Sequence, residues 1–225
     1  MPTLHVLRVF VAPSGEGGNP LGVFLEGADV PVAERQRVAA ELGFSETVFV
    51  DHPGRGVMRI FTPATELGFA GHPTVGTAWL LRRADHDVGV LRPPAGEVRV
   101  RFDADLVWIQ GRPEWVPDDF DVVQLEAPED VDELRSPVGD RGASYCWAWD
   151  DESAGLVRSR GLYPSLGIEE DEATGAAALA LSAQLDRPLE IRQGRGSRLS
   201  ARPLPDGFVE VGGLVELDEV RDFAL

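Results

Sequence analysis

Glu46 sits in Phe44-Ser45-Glu46-Thr47-Val48-Phe49, a carboxylate among apolar residues. Apolar surroundings raise a carboxyl pKa toward the range where one group can both take and give a proton near neutral pH. The same spacing fits a solvent-facing strand glutamate, with Ser45 and Thr47 on the opposite face by alternation. Two other segments could carry chemistry. Gly71-His72-Pro73-Thr74 and Asp171-Glu172-Ala173-Thr174-Gly175-Ala176 each open a very apolar run. A helix start offers unpaired N–H groups and the positive end of a dipole, which can grip a carboxylate or steady an enolate-like oxygen. The plainer reading is that Thr74 and Thr174 only cap their helices. His72 is a candidate proton carrier or donor, or simply a turn histidine. Asp171, three residues before Thr174, reads on its own as a carboxylate serving the helix dipole or as a cap. Cys146, between Tyr145 and Trp147, reads as inert core.

These groups need a scaffold. Thr3 to Val11 alternates as a strand, a loop follows over Pro13 to Pro20, and Leu21 to Leu25 is a short strand. Asp29 can cap a helix from about Pro31 to the stop at Gly43. Ser45 to Val50 and Val57 to Phe61 read as strands. Val75 to Leu81 and Ala173 to Leu185 read as two helices so apolar that they must be buried on most sides. Val88 to Gln110 reads as strands, and the Pro- and Asp-rich stretch Arg112 to Asp140 as a linker or surface excursion. Ala143 to Trp149, Leu189 to Gln193, Arg198 to Arg202 and Phe208 to Val211 are further strands.

The two apolar helices look related. Thr74 and Thr174, and Ala78 and Ala178, share an offset of 100. Upstream lie Arg59-Ile-Phe-Thr-Pro63 and Arg160-Gly-Leu-Tyr-Pro164. A duplication predicts two similar lobes, each with a curved sheet around one buried helix.

Composition narrows the chemistry. The chain has 225 residues, enough for one large domain or two small ones, and 43% are hydrophobic, an ordinary globular share. A formal charge of -17 opposes nucleic-acid binding. All basic residues are arginine. Without lysine there is no Schiff-base amine and no P-loop lysine. A single cysteine cannot form an internal disulfide or a thiolate metal cluster, and no two histidines share helical metal-ligand spacing. No metal site is expected. Neither a membrane span nor a secretory leader is expected, and the expected compartment is the cytoplasm.

Several ordered motifs resemble the PhzF-like proteins of phenazine biosynthesis, relatives of diaminopimelate epimerase. They are Gly18-Asn19-Pro20, Phe44 to Phe49, Arg59 to Glu66, Ala70-Gly71-His72-Pro73-Thr74, Gly167 to Ala176, and Gln193-Gly194 followed by Arg198. The resemblance implies an α+β fold of two pseudo-symmetric lobes, each a barrel-like mixed sheet around a central helix. Residues 1–111, with a strand near 214–225 returning to them, would form one lobe, and 112–213 the other. It implies a cofactor-free isomerase acting on a small carboxylated substrate between the lobes, and a homodimer. Glu46 matches the family's proton shuttle, with His72 and Asp171 beside it. Asn19, Ser45, Gly71, Thr74, Thr174, Gly175 and Ala176 are the implied substrate-binding positions.

Three departures stand out. Ala70 replaces the cysteine often found before Gly-His, and Ala176 replaces a serine, removing a hydroxyl from the implied pocket. Residues 101–145 look shorter than usual. Two-thiol racemisation of the epimerase type is not available with one cysteine. A carbon–carbon lyase or hydrolase using the same glutamate, and a catalytically silent binding protein, are the rival expectations.

Overall fold

One order of elements occurs twice along the chain. The computed structural model describes Met1–Leu225. After β1 (Thr3–Val11), the first repeat comprises β2 (Gly17–Phe24), α1 (Val32–Leu42), β3 (Glu46–His52), β4 (Val57–Phe61), β5 (Glu66–Leu67) and α2 (Gly71–Arg83). The short strands β6 (Val90–Leu91), β7 (Val98–Asp103) and β8 (Leu106–Gly111) follow. The second repeat is β9 (Asp121–Gln124), α3 (Pro128–Glu133), β10 (Ser144–Asp151), β11 (Leu156–Tyr163), β12 (Ile168–Asp171) and α4 (Gly175–Leu185). The chain then runs through β13 (Leu189–Gln193), β14 (Ser197–Pro203) and β15 (Val209–Asp222).

The pairing is the same in both repeats. β2 lies parallel to β3, β3 antiparallel to β4, and β4 antiparallel to β5. β9 lies parallel to β10, β10 antiparallel to β11, and β11 antiparallel to β12. Parallel neighbours need a crossover, and α1 and α3 supply it. Even an ion pair recurs: Arg59 grips Glu66 with two bonds of 2.6 and 2.5 Å, and Arg160 grips Glu170 with two of 2.8 Å. β15 joins the repeats. Its Leu214–Asp222 part pairs with β1, and its Val209–Gly213 part lies between β14 and β8.

Both apolar helices are buried almost all round, because each is wrapped by sheet. One continuous core runs through both, from Leu7 and Leu21 to Leu199 and Val211. A smaller core lies under α1, where Phe24 stacks on Phe49 at 5.1 Å.

Several expectations need correction. The stretch Arg112 to Asp140 is no linker, since it supplies β9 and α3 and so the crossover of the second repeat. These elements are too short to show a period in sequence. β2 begins at Gly17, inside the expected loop, because Gly17 and Gly18 adopt φ of +67° and +91° that only glycine holds easily. Asp29 does not cap α1; it lies in a 3-10 turn, and Pro31 is the N-cap, without a side-chain bond. α2 starts at Gly71 and α4 at Gly175, so the structural offset of the helix starts is 104, not 100. The strands of the second repeat are longer, eight residues in β11 against five in β4 and four in β12 against two in β5, and this absorbs the difference.

Candidate active site

The helix starts of the two repeats meet. A methyl built on Gly71 would lie 2.7 Å from Gly175 Cα, and one on Gly175 would lie 3.0 Å from Gly71 Cα. A real Cβ essentially never comes as close as 2.7 Å and rarely as close as 3.0 Å, so glycine at both positions lets α2 and α4 converge. Their first-turn N–H groups have no intrahelical acceptors, and both positive dipole ends point into one region.

Glu46 lies beside that region. It opens β3 opposite Leu21 of β2, and its side chain is 13% exposed. It lines a cavity of about 520 Å³. Asp171, Thr174, Ala176 and Ala70 line the same cavity, with Leu67, Phe69, Phe120, Tyr163 and Ile168 on its apolar walls. Glu46 is therefore not the solvent-facing strand residue that its spacing also allowed.

Behind Glu46 stands His72, buried, with Nε2 at 3.4 Å from Glu46 Oε2. Asn19 is the hub between the repeats. Its Nδ2 donates to Asp171 Oδ1 at 2.6 Å and to the Ala173 carbonyl at 3.0 Å, and lies 3.3 Å from His72 Nδ1. Ser45 Oγ donates to Asn19 Oδ1 at 3.2 Å, so Ser45 faces the Glu46 cluster and not the opposite side. The reason is that β3 begins at Glu46, and strand alternation does not extend back to Ser45. Thr47 is buried with its hydroxyl unpartnered.

Thr174 Oγ1 donates to Asp171 Oδ2 at 2.6 Å. Both Asp171 oxygens thus accept hydrogen bonds. Thr74 differs: its hydroxyl donates to the Ala70 carbonyl at 2.7 Å within its own helix, and it does not line the cavity. Cys146 is buried, in contact with Ser144 Oγ at 3.3 Å.

Burial dominates the titration of the cluster. Burial and the Asp171 carboxylate push Glu46 up to about 8, against a smaller pull from the Ser45 hydroxyl. Burial raises Asp171 to about 6, against hydrogen bonds from Thr174 and Asn19. Burial lowers His72 to about 3, so its ring is neutral at neutral pH. The cavity thus holds two buried carboxyls of raised proton affinity, Glu46 more so than Asp171.

Two polar residues of the cluster had no assigned role in the sequence. Gln193 is buried and bonds both Thr174 and Asp171. Tyr163 lines the cavity with its hydroxyl 3.4 Å from Thr174 Oγ1. Gln193 stands in one of the quoted motifs, and Tyr163 in the repeated Arg-to-Pro segment, but neither position reveals its distant partner. No group of three or more His, Cys, Asp or Glu side chains is placed to hold a metal ion. No helix is long and apolar enough to cross a membrane.

Comparison with known proteins gives four matches. A family model described as phenazine biosynthesis-like protein, PhzC-PhzF, matches residues 8–110. A trans-2,3-dihydro-3-hydroxyanthranilate isomerase from Pseudomonas chlororaphis is 30% identical over 217 residues, covering 79% of this chain and 78% of that protein. A protein of the same name from Pseudomonas fluorescens is 52% identical over 64 residues, which is 27% of this chain and only 23% of that relative. Among solved structures, a putative phenazine biosynthesis PhzC/PhzF protein from Clostridium difficile matches with a TM-score of 0.81 at 19% identity, over 100% of both chains. The last likeness establishes the α+β fold.

Proposed function

We propose, from the premise that this chain belongs to the PhzC-PhzF family of phenazine biosynthesis-like proteins, that it is a cofactor-independent isomerase. Its substrate is a small carboxylated metabolite, bound between a lobe of residues 1–111 with 214–225 and a lobe of residues 112–213. The observation that carries this reading is Glu46: one carboxyl, raised to about 8, on the cavity wall beside two converging helix starts. A catalyst that must both accept and release a proton works best with a pKa near ambient pH.

In this reading the first-turn N–H groups of Gly175 and Ala176, with those of Gly71 and His72, hold the substrate carboxylate. Ionised Glu46 takes a proton from a carbon next to a double bond. The C–H electron pair moves into the conjugated system, and the double bond shifts by one position. Glu46 then returns the proton to the carbon at the far end. One bond to hydrogen is broken and one is made, so no oxidant or reductant is needed. His72 supports Glu46 from behind, and Asp171 keeps its proton affinity high. Asn19 and Ser45 hold these groups in place. The relatives' name supplies a probe, trans-2,3-dihydro-3-hydroxyanthranilate.

One observation favours a second reading. Ala176 lines the cavity with no hydroxyl to offer, which suits a binding protein without turnover. The high proton affinity of Glu46 has no use in such a protein. The deciding experiment is incubation with the probe in heavy water. Deuterium entering the product with wild type but not with Glu46→Gln supports the isomerase. Binding of the probe without isomerisation or exchange supports the silent binder.

A further inference from the structure

The turn between β13 and β14 holds the polar side of the cavity from behind. Gln193, at its start, is fully buried, and its side chain is fully engaged. Its Oε1 accepts the Thr174 N–H at 3.0 Å. Its Nε2 donates to the Asp171 carbonyl at 2.9 Å and to Thr174 Oγ1 at 2.9 Å. Thr174 is the N-cap of α4, yet its side chain makes no cap bond. A threonine hydroxyl has one proton to give and accepts through its lone pairs. With the Gln193 amide donating to Oγ1, the one proton is left to point at Asp171 Oδ2, 2.6 Å away.

The far end of the turn is tied down as well. Glu172 Oε1 accepts the Arg195 N–H at 2.7 Å and the Ser197 hydroxyl at 3.2 Å, while Ser197 Oγ accepts the Gly18 N–H at 2.8 Å. Gly18 precedes Asn19, which grips the other oxygen of Asp171. The first repeat has nothing comparable. Its α2 N-cap is Ala70, without a hydroxyl, and Leu67 stands where the helix-start offset of 104 would place Asp171.

We infer that Gln193 is a positioning residue for the proposed reaction: it fixes the direction of the Thr174 hydroxyl and thereby the orientation and hydrogen bonding of the Asp171 carboxylate. This rests on the roles proposed for Glu46 and Asp171, but the orientation itself can be read without any substrate.

The test is a pH titration of the full chain by carbon-13 NMR of its side-chain carboxyls, in wild type, Gln193→Met and Thr174→Val. The titrating groups that face Asp171 are Glu46, His72 behind Asn19, Tyr145 and Tyr163, with Glu170 and Glu172 on its own segment. Thr174→Val is expected to raise the Asp171 midpoint by about one unit, because a donor to the ionised form is lost. Gln193→Met is expected to produce part of that rise. It should also average the Thr174 side-chain rotamer, seen in three-bond couplings. A Gln193 that merely caps α4 would lower the melting temperature and leave both the Asp171 midpoint and the couplings unchanged, which overturns the inference. Should Gln193→Met fail to fold, wild type alone decides. The Gln193 amide protons should shift with the titration of Asp171 and resist exchange; resonances indifferent to that titration overturn it too. Turnover plays no part in these measurements, so failure of the isomerase reading and failure of this one are separately visible.

Discussion

Glu46 Oε2 stands 3.4 Å from His72 Nε2, and both atoms are buried without a hydrogen-bond partner of good geometry, each other included. Because burial keeps His72 neutral down to about pH 3, the contact is no ion pair. A neutral imidazole carries one ring proton. The Asn19 amide lies 3.3 Å from Nδ1, with its two protons already directed to Asp171 and the Ala173 carbonyl. With Oε2 buried against His72, the other Glu46 oxygen is the one turned to whatever occupies the cavity.

Glu46→Gln keeps the shape and hydrogen-bonding capacity of the side chain but removes its exchangeable acid. Turnover of trans-2,3-dihydro-3-hydroxyanthranilate is expected to fall at least ~100-fold, the usual scale of one general acid/base. Binding of the probe, measured by calorimetry, should stay within a few-fold of wild type. Undiminished turnover in this variant would remove Glu46 from the mechanism.

Stability should decline with pH in a window that belongs to Glu46. Its folded pKa, about 8, lies above the ordinary 4.5, so the fold favours the protonated form. The associated stability is fully present below about pH 4.5 and is lost as pH rises through 8. Asp171 acts in the same sense between 3.8 and about 6. His72 acts oppositely, adding stability as pH rises from about 3 to 6.5. Of these three groups, Glu46 contributes most of the change between pH 6.5 and 8. Thermal melts should therefore fall over that interval in wild type and flatten in Glu46→Gln. Parallel slopes for the two proteins would contradict the assignment.

Gly71→Ala and Gly175→Ala should each push the two helix starts apart, since a methyl at either position meets backbone of the other at 2.7 and 3.0 Å. A loss of roughly 1–3 kcal/mol is expected for each, as for other overpacked sites, read from urea unfolding. KM for the probe should rise in both, because the N–H groups proposed to hold its carboxylate move. A neutral effect on both stability and KM would show that the contact can relax freely.

A homodimer is expected in solution. Light scattering should report twice the 24.4 kDa chain mass at micromolar concentration. A single-chain mass there would refute it.

Much of this could be read from the residues because the relevant signals are local. Small residues crowd the starts of two helices that are apolar on every side, and Glu46 is flanked by aromatic and β-branched neighbours. Those patterns led to buried helices, a repeat and a buried acid. What stayed hidden depends on distance along the chain. The Asn19–Asp171 bond spans 152 positions, and the Gln193 bonds to Thr174 span 19. No period or motif encodes such partners. The offset of 100 misled for a related reason. Matching threonines lined up in sequence, whereas packing aligns Gly71 with Gly175, since only glycine lets two backbones approach so closely. Thr74 consequently lies inside its helix, bonded to Ala70, while Thr174 faces Asp171.

The repeat has a stereochemical consequence. Arg59 pairs with Phe49 across β3–β4, and Arg160 with Cys146 across β10–β11, so the counterpart of Glu46 three residues earlier is Ala143. The other buried carboxyl of the cavity, Asp171, has both oxygens occupied by Asn19 and Thr174, and the third cavity carboxyl, Asp119, is exposed. Glu46 is therefore the one buried carboxyl of the cavity with an oxygen left free. Inverting a centre takes an acid on each side of the molecule, one to remove hydrogen and one to deliver it from behind. With Ala143 in the second position, the proposed mechanism has hydrogen leave and return on the same side, and it preserves the handedness of any centre that merely exchanges its hydrogen.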